Sequence, residues 1–301
     1  MLSLGLAPHM VGTAYNDDPI LPELKADYEK IPVLSGGDSY PSAEVVAGTG
    51  ADFAFGRLSA FRDTSVATTD RLAQLGIKTY IVQGTLVKGT AESMDDVYAD
   101  ITNLGKIFDV QTKAGALVAQ MKIDIDAVHA KVAGVASPVK VLVYDSGDKT
   151  IYTAGKALET ALIAQAGGVN VFADLPDTWD DVNVEDAVAR APDVIVINDY
   201  SGDSADKKIA DIKANPALAT IPAVKNDRFV VLPLTGVFEG VRNPTAIKEL
   251  ASGFYRCAHI GVSGCPCRRR SVPAATDSCR PRLLLLSLRP REPHHADILQ
   301  S

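Results

Sequence analysis

"QTKAGALVAQMKIDIDAVHAKVAG" (residues 111–134) decides the fold. Ala114, Leu117, Val118, Met121, Ile125, Val128 and Val132 follow one another at steps of 3, 1, 3, 4, 3 and 4, which lines one face of a single long helix. At 1.5 Å per residue, about 23 residues reach ~35 Å, the width of a small domain. Asp109 is the expected cap and Gly134 the expected stop, after which "SP" (137–138) restarts the chain into a strand.

Outward from that helix the chain alternates on both sides. Strands are expected at "DFAFG" (52–56), "TYIVQ" (79–83), "VKVLVYD" (139–145), "DVIVIND" (193–199) and "RFVVLP" (228–233). Helical stretches such as "TSVATTDRLAQLG" (64–76) and "GKALETALIAQAGG" (155–168) lie between them, each closing on glycine. The class is α/β: two parallel-sheet lobes, residues 1–110 and 135–255, joined by helix 111–134. A repeated phrase supports the doubling. "SAEVVAGTGADF" (42–53) returns as "VEDAVARAPDVI" (184–195), with Glu44 and Glu185 each eight positions before an aspartate, Asp52 and Asp193.

Composition agrees with a globular chain: 301 residues, 47% hydrophobic and 22% charged. Residues 256–301 hold eight Arg, no Lys and three acids, leaving −12 on residues 1–255, an acidic body unsuited to nucleic acid. All four cysteines, Cys257, Cys265, Cys267 and Cys279, fall in that final segment without a second well-spaced ligand pair, so no metal site is expected there. Residues 256–301 read as a disordered, frame-changed tail, and "LLLLSL" (283–288) is too short to span a membrane. No export signal is visible at the start.

The segments "LGLAPHMVGTAYNDDP", "SAEVVAGTGADFAFG", "QLGIKTYIV", "TAGKALETALIAQAGGVNVF", "WDDVNVEDAVARAPDVIVI" and "RFVVLPLTGVFEGVRNP", in that order, resemble the substrate-binding proteins of iron-siderophore, haem and cobalamin ABC importers. The resemblance implies two α/β lobes bridged by one long helix with a ligand cleft between them, and an extracytoplasmic place, in the periplasm or on the outer face of the cell membrane, often as a lipoprotein. It implies a chain that begins after the family's export signal and first strand. It also implies that Glu44 and Glu185 dock on arginines of the permease, although either glutamate alone would serve as a helix N-terminal acid.

Candidate ligand contacts are Tyr15, Arg57, Trp179 and Tyr200, all in loops, mostly at the carboxyl ends of strands, where open α/β sheets bind ligands. The family's aromatic cleft walls match Tyr15 and Trp179; an arginine at Arg57 points to an anionic iron chelate held by a bidentate contact rather than to a corrinoid. Phe238 and Arg242 fill the remaining loop, where an anchor and a solvated arginine would read the same way. "TAGK" (153–156) opens a helix whose amides could meet the ligand.

Bare zinc or manganese capture is disfavoured because residues 1–255 hold only His9 and His129. An α/β enzyme is disfavoured too: no G-x-S-x-G, no cysteine nucleophile before residue 257, no histidine beside an evident nucleophile. The expectation is a monomeric receptor without a cofactor or resident metal, delivering a ferric siderophore or similar Fe(III) chelate to an ABC permease, with cobalamin or haem as the alternative cargo.

Overall fold

The computed structural model describes residues 1–16, 18–36, 39–200, 203–255 and the backbone of 283–286. The elements run β1 (Met10–Ala14), α1 (Pro22–Tyr28), α2 (Ala43–Gly48), β2 (Phe53–Gly56), α3 (Thr69–Gln74), β3 (Lys78–Ile81), α4 (Met94–Ile107), α5 (Gln111–Val132), β4 (Val139–Tyr144) and β5 (Thr150–Ala154). They continue with α6 (Leu158–Gln165), β6 (Gly168–Asn170), β7 (Trp179–Asn183), α7 (Val184–Arg190), β8 (Val194–Asp199), α8 (Ala205–Ala214), α9 (Pro222–Lys225), β9 (Phe229–Pro233), α10 (Leu234–Val237), α11 (Asn243–Phe254) and β10 (Leu283–Leu286).

Two compact units divide the chain. The first comprises residues 1–16 and 20–81 with β10; the second comprises 82–255 with residues 18 and 19. Residues 82–110, grouped with the first lobe from the sequence, make their contacts inside the second unit, because α4 packs along α5. A reciprocal capping box starts α4: the Ser93 hydroxyl accepts from Asp96 N, and the Asp96 carboxylate accepts from Ser93 N. Close approach of the two helices requires Gly105, since a Cβ there would lie 2.5 Å from the Cβ of Ala114.

The long helix is α5, and its expected face is the one removed from solvent. Ala114, Met121, Ile125 and Val128 are buried, and Leu117, Val118 and Val132 are partly so. Its start differs from expectation: the N-cap is Val110, without a side-chain cap, while Asp109 takes a left-handed φ of 54°. Asp109 turns the chain between α4 and α5 rather than capping the helix, a conformation Asp tolerates better than most residues.

In the second unit β6, β4, β8 and β9 lie side by side in that order, every pair parallel. From β4 the chain crosses to β6 on one side and later to β8 on the other, so the crossovers diverge between β4 and β8. Such a switch point opens a crevice at the carboxyl ends of the two strands. Leu142 and Tyr144 of β4, Ile195 and Ile197 of β8 and Ile212 of α8 share one buried cluster, and each such side chain contributes about 1.5–3 kcal/mol on leaving water. A separate antiparallel ribbon, β5 with β7, pairs Thr150 to Ala154 with Asn183 to Trp179.

The first unit's sheet runs β1, β10, β2, β3. β2 and β3 are parallel, as expected, but β10 lies antiparallel to both β1 and β2 and fills the place between them. Thus the segment expected to stand outside the fold supplies a central strand at Leu283–Leu286; Cys257, Cys265, Cys267 and Cys279 lie outside the described residues. An interior place in a sheet satisfies the amides and carbonyls of both neighbours, which four consecutive leucines can do as readily as any apolar strand.

The repeated phrase is one structural unit used twice. Glu44 is the second residue of α2 and Glu185 the second of α7; Asp52 and Asp193 stand immediately before β2 and β8. Each aspartate tethers a neighbouring segment through its backbone: Asp52 O accepts from Lys78 N, and Asp193 N donates to Lys140 O.

Candidate functional site

Three of the six expected contact residues, Tyr15, Arg57 and Tyr200, stand directly after strands. Arg57 follows β2 directly, and its carbonyl accepts from Ala60 N to begin a 3-10 turn over Leu58–Ala60. Tyr15 follows β1 with a left-handed φ of 63°, and its ring lies 4.7 Å from that of Tyr40. Only 2% of Tyr15 is exposed. Phe55 and Tyr80, register partners across β2 and β3, bring their rings to 5.8 Å.

In the second unit Trp179 opens β7 rather than lying in a loop, and it stacks on Tyr152 of β5. Tyr152 was not singled out by sequence reasoning. Its signal is the alternation of "TIYTA", which puts Ile151 and Thr153 on the buried face and Tyr152 on the open one. Burial, with the charges of Asp145, Asp181 and Asp180 adding to it, pushes the Tyr152 phenol above its usual range.

Tyr200 follows β8 and Asp145 follows β4, one from each side of the switch point. The Tyr200 hydroxyl donates to Asp145 Oδ2 at 3.1 Å, and the Lys208 ammonium sits 3.6 Å from the centre of the Tyr200 ring. Lys208 is only 2% exposed and donates to the Asn198 carbonyl at 2.7 Å. Burial raises the Asp145 carboxyl, while Lys208 and the donors Tyr200, Asn198 and Ser146 pull it down. A buried lysine and a half-buried acid leave no periodic trace, which is why the sequence did not reveal them.

Arg242 donates to the Pro19 carbonyl, and Thr235 N donates to Asp18 Oδ2, so both ends of this loop hold the 18–19 segment. Asn243, fully buried, donates to the Gly236 and Phe238 carbonyls and accepts from Gly240 N, which sets the backbone that carries Phe238. The amides of "TAGK" are not open to a ligand, contrary to expectation. Gly155 and Ala157 donate to Thr178 O, Lys156 to Asp177 O, and Leu158 to the Glu92 carboxylate at 2.8 Å. Glu92 supplies the anion that the start of α6 favours.

Glu44 and Glu185 are both exposed. The backbone amide of Glu44 and the Ser42 hydroxyl hold the Glu44 carboxyl below its usual range, and Arg71 stands 3.9 Å away. Among the described residues no group of three or more His, Cys, Asp or Glu is placed to hold a metal ion, and no helix is long and apolar enough to cross a membrane.

The α/β fold is that of a class, the two-lobed periplasmic binding proteins of class III. The chain belongs to the family described as "Periplasmic binding protein", which it matches over residues 3–234. Its members are substrate-binding transport proteins and not enzymes; they take small molecules outside the cytoplasm and work with ABC permeases. A periplasmic binding protein from Veillonella parvula DSM 2008 is 33% identical, with a TM-score of 0.78 and coverage of 84% of this chain and 86% of that one. A protein of an ABC-type Fe3+-hydroxamate transport system from Saccharomonospora viridis DSM 43017 shares the fold at 24% identity, TM-score 0.68, over 80% and 84%. So does the periplasmic heme-binding protein RhuT from Roseiflexus sp. RS-1, at 21% identity, TM-score 0.67, over 84% and 92%. No curated protein matches the chain.

Proposed function

We propose that this chain is the receptor of an ABC importer for a ferric siderophore or similar iron complex. The two compact units act in this reading as its lobes. The observation that carries it is Arg57 at the carboxyl end of β2, where a guanidinium can grip chelate oxygens through two charge-assisted hydrogen bonds. Trp179, Tyr152 and Tyr200 supply flat apolar area in the second unit, and Tyr15, Phe238 and Arg242 complete the proposed contact set. Fold likeness to a protein of an Fe3+-hydroxamate transport system is consistent with this cargo. Haem is the second reading, favoured by the Tyr152–Trp179 stack, which suits a planar ligand, and by the likeness to a heme-binding protein.

Delivery follows by docking of Glu44 and Glu185 on basic residues of the permease, the receptor acting as a monomer tethered outside the cytoplasm. Quenching of Trp179, the only tryptophan, across a ferric hydroxamate, a ferric catecholate, haem and cobalamin tests the cargo. Tightest binding of a ferric siderophore is the expected result. Preference for haem or for neutral cobalamin would replace the siderophore reading.

A further inference from the structure

The switch point of the second unit contains a buried acid that ligand binding by Tyr200 does not itself require. Glu159, in the first turn of α6, and Asn198, near the end of β8, are both 0% exposed. Asn198 Nδ2 donates to Glu159 Oε2 at 3.0 Å and stands 3.4 Å from Asp145 Oδ1. The remaining oxygen of each group, Glu159 Oε1 and Asn198 Oδ1, is buried without a hydrogen-bond partner. Native interiors rarely leave such atoms unsatisfied. Both orphans are acceptors as long as Glu159 is ionised.

One proton resolves both. On Glu159 Oε1 it makes a carboxylic acid whose O–H donates to Asn198 Oδ1, while the existing N–H bond to Oε2 closes the ring. We propose that Glu159 and Asn198 form a protonated acid–amide pair, and that this pair is the positioning element for Tyr200, acting through Asp145. With Glu159 neutral, Asn198 faces a single anion, the half-buried Asp145, which holds the Tyr200 phenol. Releasing the proton to solvent breaks the O–H bond to Asn198 and sets a second negative charge beside Asp145, loosening its hold on Tyr200.

The surroundings favour the neutral acid. Burial raises the Glu159 carboxyl to about 8, against the Asn198 hydrogen bond and with the Asp145 charge adding to the rise. From the segment before α4, the Glu92 carboxylate takes the neighbouring Leu158 amide, a further anion. β6 brings the neutral Asn170, which is bonded to Thr160 and to the Ala154 carbonyl. Near the far end of α6, Gly167 and Gly168 meet Val132 of α5, Phe254 of α11 and Tyr255, all uncharged. After α10, Glu239 packs against Gly84. The buried ammonium of Lys208 is bonded to the Asn198 backbone carbonyl and not to its side chain.

Tyr200 as a ligand contact rests on the proposed function; the acid–amide pair does not, and its test needs no ligand. The intact chain, labelled with ¹³C at glutamate Cδ and tyrosine Cζ, is titrated by NMR, with Glu159→Gln and Tyr200→Phe assigning the two signals. The Glu159 carboxyl is expected to titrate near 8, well above the ordinary ~4.3. The Tyr200 signal should show a step at the same pH. Glu159→Gln, whose amide satisfies both Asn198 atoms without a proton, should stay folded and lose that step. In Asn198→Asp, two carboxyls sharing one proton should raise the midpoint further. A Glu159 carboxyl that titrates in the ordinary range overturns the pair, and a Tyr200 step that is missing in the parent or persists in Glu159→Gln overturns the positioning role.

Discussion

The rings of Tyr152 and Trp179 stack with centroids 5.7 Å apart and planes inclined by 23°. The register causes this: Trp179 pairs with Ala154 and Tyr152 with Asp181, so the two rings are diagonal neighbours on one face of the ribbon. Each therefore fixes the other's orientation. Tyr152→Ala should remove a pair interaction of about 0.5–1.5 kcal/mol, shift the emission of Trp179, and weaken binding of whichever chelate quenches it. Unchanged emission and affinity would show that the stack is not part of the contact surface.

Arg57→Ala should cost about 1.5–3 kcal/mol of ligand binding, roughly ten- to a hundredfold in affinity, the worth of a charge-assisted hydrogen bond. Arg57→Lys should restore part of this, because the ammonium keeps the charge and loses the planar fork. Equal affinity in Arg57→Ala for every anionic chelate would remove the basis for the siderophore reading.

Glu44 and Glu185 occupy the same second position of α2 and α7 and are exposed in both. Replacing both by alanine should leave chelate affinity near that of the parent and reduce uptake in a transport assay with the permease. Weakened chelate binding would instead place these carboxylates at the ligand.

β10 is paired on both sides. Leu284→Pro or Leu285→Pro should break the ladder on one side of it, at about 1 kcal/mol or more for each hydrogen bond lost. The thermal midpoint should fall by a few degrees, and amides of β1 and β2 should exchange faster with solvent. A segment lying outside the fold would be silent to both substitutions.

Stability should depend on pH through Glu159. Its carboxyl is raised from 4.5 to about 8, so between those values the native state keeps a proton that the unfolded chain has released. Stability then falls as pH rises, by up to about 1.4 kcal/mol per unit, and levels off above the folded value. Urea titrations should show Glu159→Gln gaining on the parent from pH 5 to pH 8. Parallel profiles for the two proteins would mean that the parent's Glu159 is ionised throughout.

Much of this architecture was legible beforehand. The seven-residue apolar face of α5 was read from a period of 3.6, which is the backbone geometry itself, and the five expected strands from short runs of β-branched and aromatic residues. The repeated phrase gave Glu44 and Glu185 matching positions because cap, first turn and strand entry are local features. Less legible were residues whose surroundings come from elsewhere in the chain. Trp179 was read as a loop residue because "DTWDD" has no strand period of its own, and it is the pairing with β5 that extends it. "TAGK" offered free amides on paper until the carbonyls of Thr178 and Asp177 took those of Gly155 and Lys156.

By itself, then, the sequence determined what short stretches dictate: the alternation of helix and strand, the long α5, the doubled lobe motif and the family resemblance that runs through them. Tertiary structure alone decided which distant segments meet. It set β10 between β1 and β2, laid Lys208 over Tyr200, and brought Glu159 to Asn198 across 39 positions. The physical reason is that strand partnership, desolvation and the sharing of a buried proton depend on neighbours in space, and a polar residue in sequence looks the same whether water or another buried side chain will surround it.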